Sequence, residues 1–313
     1  MVPYFGRHPC KMFIKGKSVR FGFKLWCLCS SNGYLFYSLL YAGAQDKKHS
    51  ELGLDGGVVM SLLSVVEKPQ NHQIFFDNFF STFKLFGHTK QNVFFFATGT
   101  IRDNRTSRCP FLDNKKMEKT ERDEFDAAYD ANSKISFIRW NDNSVVTVGS
   151  NIYNIEPLTR VKRYNKKQLI ETFIQQPYAI SQYNKFMGGV DLHDNGIANY
   201  RSQILGKKWW WPIFCNALDS LVVNAWKIYN LVNKKSQVDF KSYIALRLLK
   251  TDANRVVRNV ILYVLISMNC ASITKATLWS LMLRSCAVDE EYVIVIQYIS
   301  VQSVMFICIQ VVS

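Results

Sequence analysis

Two aspartates stand where an apolar segment gives way to a turn, and they constrain the fold of this chain more than any other feature. Asp77 directly follows the short apolar run 73–76, which is typical of a buried strand. Open α/β sheets present ligand-binding groups at the carboxyl ends of their strands. The alternative is that Asp77 caps a helix over 81–86. The first interpretation predicts a functional carboxylate at a strand end.

The second aspartate belongs to the segment Met187-Gly188-Gly189-Val190-Asp191-Leu192-His193-Asp194. The two glycines favour a turn, and a helix that starts near Val190 places Asp191 and Asp194 on one face, three residues apart. Carboxylates in the first turn of a helix are also ordinary partners of the helix dipole. Together with Asp77, the pair suggests two thirds of a metal-ion nuclease site.

The surrounding segments identify a family. FFDNFF, ATGTIRDNR, RWNDNSVV, YNKFMGGVDLHD, ANYR and KKWWWPIF follow MVPYFGRHPCKMFIKGKSVRFGFKLWCLCSSNGY in this order. This arrangement resembles the piggyBac transposase family, including its domesticated, transposable element-derived members, over residues 1–251. The resemblance implies an RNase H-like core in which three aspartates hold divalent metal ions, and an activity that cuts and rejoins DNA at short TTAA sites. It assigns Asp77 as the second catalytic aspartate, Asp191 as the third and Asp194 as an accessory acid.

The first aspartate of the family is absent from this chain, because it belongs to an Asp-Glu pair just upstream of the segment that begins here. Asp77 and Asp191 are the predicted metal ligands, and two carboxylates hold one Mg²⁺ only loosely. A two-metal mechanism needs several carboxylates around both ions. Three other acids, which nothing in their spacing singles out, could in principle substitute: Asp46, Glu51 and Asp55. We therefore expect weak or lost Mg²⁺ binding and little or no catalysis.

The predicted fold class is α/β, an RNase H-like mixed sheet with helices that lacks its opening strand. Such a sheet would have a gap or a long unpaired edge. Strands are predicted at 19–29, 34–41, 74–76 and 93–98, and helices at 54–66, 82–86, 181–204 and 212–232. The predicted domains are the first part of the core (1–102), an insertion region (103–176), the helical completion of the core (177–232), a family-like helix (233–251) and an apolar tail outside the family pattern (252–313).

A net charge of +15 indicates a polyanionic partner, nucleic acid before membrane. Two clusters, at residues 160–167 and 201–211, mix cations with aromatic rings. This is the combination that binds phosphates and stacks on bases. The alternative is a solvated face over which lysines cover apolar rings. Three successive indoles at 209–211 cannot all face one core, so some must lie at a surface. The predicted DNA-binding residues are Arg160, Lys162, Arg163, Lys166, Lys167, Arg201, Lys207 and Lys208.

The eight cysteines indicate reduced thiols in a cytosolic or nuclear protein. Cys27 and Cys29 alternate in a predicted strand, which places them on one face, and no CxxC pair occurs, so a structural zinc site is not expected. His193 lies between the two acids of its segment, and on a helix it is expected to point away from them.

The segment 292–313 contains no charged residue, and its length approaches the roughly 20 residues that span a bilayer. Glutamines, serines and β-branched residues make it a poor membrane helix, and its β-prone apolar character is an aggregation hazard. We favour a tail that packs loosely or not at all over a membrane anchor.

These features predict a nuclear DNA-binding protein that is derived from a piggyBac transposase and inactive as a transposase. It would act alone, as a homodimer or by pairing with an intact relative. The alternative is a residual metal-dependent transposase or nuclease completed by N-terminal sequence that this chain lacks. A decayed element without function is the third hypothesis.

Overall fold

The computed structural model describes residues 1–17, 19–41, 43, 52–165, 169–250 and 305–312. The chain divides into two compact units. One comprises residues 1–216 together with the strand at 305–312, and the other begins at Ala217. All the predicted catalytic residues belong to the first unit.

The first unit opens with three short strands that form a small antiparallel sheet: β1 (Val2–Pro3), β2 (Met12–Phe13) and β3 (Phe21–Phe23). The predicted hairpin follows as β4 (Leu25–Ser30) and β5 (Leu35–Leu40), which pair antiparallel. Gly33 in the intervening turn has a φ of +87°, a conformation that glycine adopts without steric cost. The sequence prediction of this hairpin is confirmed.

The chain continues through α1 (Gly53–Leu63), β6 (His72–Phe76), α2 (Phe83–Gln91) and β7 (Phe96–Thr100). Strands β6 and β7 are parallel, and α2 is the crossover that a parallel connection requires. Thr82, and not Asp77, is the N-cap of α2, since its side chain accepts a hydrogen bond from the Leu85 amide at 3.1 Å. The alternative of Asp77 as a helix cap is therefore wrong.

The predicted insertion region contains α3 (Asn114–Met117), β8 (Phe125–Asp130), β9 (Ile135–Asn141), β10 (Val145–Ser150), β11 (Thr159–Asn165) and β12 (Ile170–Gln176). Strands β8 to β10 extend the main sheet beyond β7, whereas β11 and β12 form a separate hairpin. The predicted boundaries of all five domains stay predictions.

The helices at 181–204 and 212–232 are found with different bounds. The first is two helices, α4 (Tyr178–Phe186) and α5 (Gly189–Asn199), separated at Met187 and Gly188. The second is α6 (Trp211–Tyr229), within which the boundary between the two units falls. In the second unit, α6 is followed by α7 (Gln237–Lys250), and the rings of Tyr229 and Phe240 lie 5.1 Å apart.

The last described element, β13 (Met305–Val312), lies inside the main sheet. The eight strands follow the order β5-β4-β13-β6-β7-β10-β9-β8. The expected gap is therefore wrong, because β13 occupies the place between β4 and β6. The expectation of a loosely packed tail is also wrong for 305–312, whose apolar, β-prone sequence suits a strand with a neighbour on each side. The segment 251–304 lies outside the described residues.

Aromatic side chains dominate the core on one face of this sheet. Trp26, Phe76, Phe80 and Phe86 are almost fully buried there, together with aliphatic residues of α1. Within the described ranges, no helix combines the length and the apolar character that crossing a membrane requires.

Candidate functional site

Asp77 is held in a tight turn at the carboxyl end of β6. Its carboxylate accepts a hydrogen bond from the Asn78 amide at 2.6 Å. Its carbonyl accepts from the amides of Phe80 and Ser81. The three preceding residues are fully buried, so the strand fixes the position of this partly exposed carboxylate. The predicted placement at a strand end is confirmed, while its catalytic role stays a prediction.

Asp191 and Asp194 lie on α5, which begins at Gly189 as the glycine pair predicts. Burial raises the pKa of Asp194 above its ordinary value, and the nearby Asp191 carboxylate acts in the same direction. Positive charges oppose this rise, and Arg201 is among them. The predicted proximity of the two acids on one helix is confirmed.

Helix α5 is seated by two sets of contacts. Val190 packs in a cluster with Cys27, Cys29 and Phe75, which confirms that the two cysteines share a face. Three residues later, Nδ1 of His193 lies 3.1 Å from the Gly33 carbonyl. His193 is buried, and this contact ties α5 to the β4–β5 turn. His193 therefore has a structural partner in the hairpin.

The described part of the chain does not assemble the three-carboxylate group that the resemblance implies. Oxygen ligands such as Asp77 and Asp191 suit Mg²⁺ chemically, yet no three His, Cys, Asp or Glu side chains among the described residues are grouped to hold a metal ion. Asp55 is engaged elsewhere, in an ion pair with Arg105 at 2.9 Å. Asp46 and Glu51 lie outside the described residues. The described residues alone therefore do not form a complete metal centre.

A basic and aromatic segment follows α5 directly. We call residues 201–211 the basic–aromatic segment; it connects α5 to α6. Lys207 and Lys208 are exposed, and the side chains of Trp209 and Trp210 are each 44% exposed. The prediction that some of the three indoles lie at a surface is confirmed.

The segment is anchored at two points. The Trp209 ring stacks on His8 with centroids 4.4 Å apart. The Trp211 indole donates a hydrogen bond to the Ile204 carbonyl at 2.9 Å. Sequence reasoning missed His8 as a neighbour, since the two partners are separated by 200 positions and no local pattern links them. These contacts hold exposed indoles and lysines in a defined loop.

The second predicted DNA-binding cluster lies on the β11–β12 hairpin, where acids partly neutralise it. Arg163 donates to Asp142 at 2.9 Å, and Lys162 forms an exposed ion pair with Glu171. Arg160 is exposed. Lys166 and Lys167 lie outside the described residues. The hairpin therefore offers less unpaired positive charge than its sequence suggests.

Comparison with known proteins identifies the family of this chain. A family model described as Transposase IS4 matches residues 1–226. The human PiggyBac transposable element-derived protein 3 is 39% identical over an alignment of 252 residues, which covers 78% of this chain and 41% of that protein. The human PiggyBac transposable element-derived protein 2 is 34% identical over an alignment of 260 residues, which covers 81% of this chain and 44% of that protein. The chain thus spans less than half the length of these relatives.

A solved structure shares the fold. It is a cryo-EM structure of the piggyBac transposase synaptic complex with hairpin DNA, with a TM-score of 0.58 and 18% sequence identity. The match covers 83% of this chain and 55% of the other. The family model, the human relatives and the shared mixed α/β fold lead to one conclusion: this chain belongs to the piggyBac/IS4 transposase family.

Proposed function

We propose that this chain is a DNA-binding protein derived from a piggyBac transposase and that it has no transposase activity of its own. The observation that carries the proposal is the exposed basic–aromatic segment next to the carboxylate-bearing helix α5. Lysines there neutralise phosphates and add affinity with little sequence information. Duplex DNA is bound through its phosphates, and exposed indoles such as Trp209 and Trp210 would in addition stack on unpaired bases. Action on DNA implies the nucleus, and homodimerisation or pairing with an intact relative stays a prediction.

The core that supports this segment is, in our proposal, RNase H-like. An antiparallel hairpin (β4–β5), the parallel pair β6–β7 with its crossover helix, and Asp77 at the end of β6 support this assignment. Asp77, Asp191 and Asp194 would be what remains of the catalytic centre. Because the described residues assemble no group of three metal-binding side chains, we assign no cleavage step to them. A divalent metal would supply charge neutralisation at the phosphate if a complete centre existed.

The test compares two charge-matched variants of the full chain. Lys207→Gln/Lys208→Gln removes two exposed lysines of the basic–aromatic segment. Lys115→Gln/Lys116→Gln removes two exposed lysines of α3 and changes the net charge equally. Duplex DNA binding is measured by fluorescence anisotropy at several salt concentrations, with and without Mg²⁺. The same samples are run on denaturing gels to detect cleavage.

We expect the 207/208 variant to bind more weakly and to lose about 2 from the magnitude of the slope of log K against log salt, since each phosphate contact contributes about 0.9. The 115/116 variant should keep most of the wild-type slope. Equal losses in both variants would mean that binding depends on overall charge and not on this segment. Salt-insensitive or absent binding would refute the proposal. Mg²⁺-dependent cleavage abolished by Asp77→Ala would instead support the alternative, a residual transposase completed by other sequence.

A further inference from the structure

The strand β13 is paired along both of its edges. Residues 307–312 pair antiparallel with Leu25–Ser30 of β4. Residues 305–309 pair parallel with His72–Phe76 of β6. In the described sheet β4 has β5 as its only other neighbour and β6 has β7. Strand β13 is thus the sole strand link between the two-stranded part β4–β5 and the five-stranded part β6-β7-β10-β9-β8.

Removing β13 from its place between β4 and β6 would strongly destabilise the sheet. In β4, residues 26–30 are buried, and so are residues 74–76 of β6. Their backbone N–H and C=O groups on the facing edges would lose their partners if β13 were removed. Buried backbone groups without partners are strongly unfavourable. A strand must therefore occupy this place for the first unit to keep its described structure.

The sequence of β13 suits a central position. Met305-Phe306-Ile307-Cys308-Ile309-Gln310-Val311-Val312 contains no charged residue, proline or glycine. Central strands covered on both faces are continuous apolar runs and not alternating ones. The backbones of α4 and α5 also lie against β13. The same strand therefore supports the helix that carries Asp191 and Asp194.

We propose that the sheet has a strand-acceptor slot between β4 and β6 and that the chain's own residues 305–312 close it in cis. The end of the predicted apolar tail is then a structural strand of the core. Ile309 pairs with Phe76, so Gln310 is level with Asp77 at the end of β6. Strand β13 contains no aspartate or glutamate and brings no carboxylate to this strand end. This last consequence, which rests on the proposed function, gives a structural reason for an inactive site.

The first experiment is hydrogen exchange on the full chain with a matched pair of proline variants. Ile309→Pro removes a ladder hydrogen bond, because each N–H of a strand with two neighbours faces one of them. As the control, Ser300→Pro introduces a proline at a position before Met305, where β13 begins. We expect amides of 25–30 and 72–76 to exchange at least about tenfold faster in Ile309→Pro. They should be unchanged in Ser300→Pro. Unchanged exchange in Ile309→Pro would overturn the proposal.

A second experiment on the wild-type sequence does not depend on a variant that could fail to fold. Cys29 and Cys308 are direct register partners. Mild oxidation of the native protein with diamide, followed by blocking of the remaining thiols and peptide mapping, should yield the Cys29–Cys308 disulfide in preference to pairs with Cys270 or Cys286. Preferential linkage of Cys29 to another cysteine would overturn the proposal.

Mixing isotopically light and heavy chains before oxidation distinguishes closure in cis from exchange between copies. Closure in cis gives only light–light and heavy–heavy linked peptides. Mixed peptides would mean that a second copy supplies the strand, which would overturn the assignment in cis. Neither experiment uses DNA binding as a readout, so failure of the proposed DNA-binding function would leave both results interpretable.

Discussion

Gly33 links the β4–β5 turn to the helix of the candidate site. Its φ of +87° lies in the left-handed region, and a Cβ at this position would come within 3.0 Å of Leu192 Cβ and 3.1 Å of the His193 amide nitrogen. Gly33→Ala should therefore incur both backbone strain and a steric conflict with α5. We expect a loss of about 2–3 kcal/mol in the free energy of unfolding, measured by urea denaturation.

Gly16 provides the control for this prediction. Its φ is +88°, but nothing lies within 4 Å of a Cβ added there. Gly16→Ala should therefore lose only the free energy of unfolding that backbone strain accounts for, about 1 kcal/mol. Equal losses for the two variants would mean that the turn does not press against α5 in solution.

Lys24 is a buried cation whose titration should be visible in stability. Its side chain is only 8% exposed, and Nζ lies 3.7 Å from the centroid of the Trp26 ring. Burial lowers the pKa of Lys24 from 10.5 to about 8, and Asp55 partly opposes this change. Below pH 8 the lysine is charged in both states, so folding carries the full cost of burying the charge.

Between pH 8 and 10.5 the unfolded chain binds more protons at Lys24 than the folded protein does, so the stability of the folded state rises with pH. The wild-type protein should gain stability relative to Lys24→Met across this window. Denaturation midpoints of both proteins at four or five pH values measure the difference. A constant difference across the window, or one that changes in the opposite direction, would contradict the prediction.

The site residues illustrate what a sequence can and cannot predict. Asp77 at a strand end and the pair Asp191 and Asp194 on one helix follow from local patterns, since apolar runs and glycine pairs determine local structure. The stacking of His8 on Trp209 and the contact of Gly33 with His193 do not follow, because they depend on tertiary packing between distant segments. The engagement of Asp55 by Arg105 is of the same kind.

At the scale of elements, Asp142 is one of the contacts that join the hairpin β11–β12 to the rest of the first unit, beside the hydrogen bond from the Trp140 indole to the Gln175 carbonyl. Asp142 lies between the two arginines Arg122 and Arg163, which donate to it at 2.7 and 2.9 Å. Its side chain is 13% exposed. Asp142→Asn removes the charge and leaves two cations facing each other. We expect a loss of about 1–3 kcal/mol in the free energy of unfolding. Backbone amides of residues 159–165 and 170–176 should also exchange their hydrogens faster.

The exposed pair Lys162–Glu171 on the same hairpin serves as the comparison. Both side chains are more than half exposed, and exposed ion pairs contribute about 0–1 kcal/mol. Glu171→Gln should therefore leave the melting temperature within about 2 °C of the wild type. If Glu171→Gln destabilised the protein as much as Asp142→Asn, the proposed role of Asp142 would be wrong.

Element types were predictable where the pattern was local, and element partners were not. The hairpin β4–β5, strand β6 and helix α1 follow from alternation, turn residues and apolar runs. The break between α4 and α5 coincides with Gly188, which lowers helix propensity. The position of β13 could not be predicted, because an apolar β-prone run specifies a buried strand but not the slot that receives it.

For the whole molecule, the distribution of charge favours DNA over a membrane as the partner. Residues 252–313 contain four basic side chains (Arg255, Arg258, Lys275 and Arg284) and four acidic ones (Asp252, Asp289, Glu290 and Glu291). The entire excess of +15 therefore belongs to residues 1–251, which include the basic–aromatic segment. Such an excess steers polyanions toward the protein and makes the interaction sensitive to salt.

We expect the whole protein to respond only weakly to Mg²⁺, because the described residues group no three metal-binding side chains. A ligand stabilises the folded state by RT ln(1 + [L]/Kd), and two carboxylates hold Mg²⁺ only loosely. With a Kd near 10 mM, about 5 mM Mg²⁺ adds roughly 0.2 kcal/mol, which corresponds to a rise in melting temperature of less than about 1 °C. Thermal scans of the wild type and of Asp191→Asn, with NaCl matched for ionic strength, measure this shift. A saturable rise of several degrees that disappears in Asp191→Asn would mean that a tight metal site exists, and the proposal of an inactive centre would then have to be abandoned.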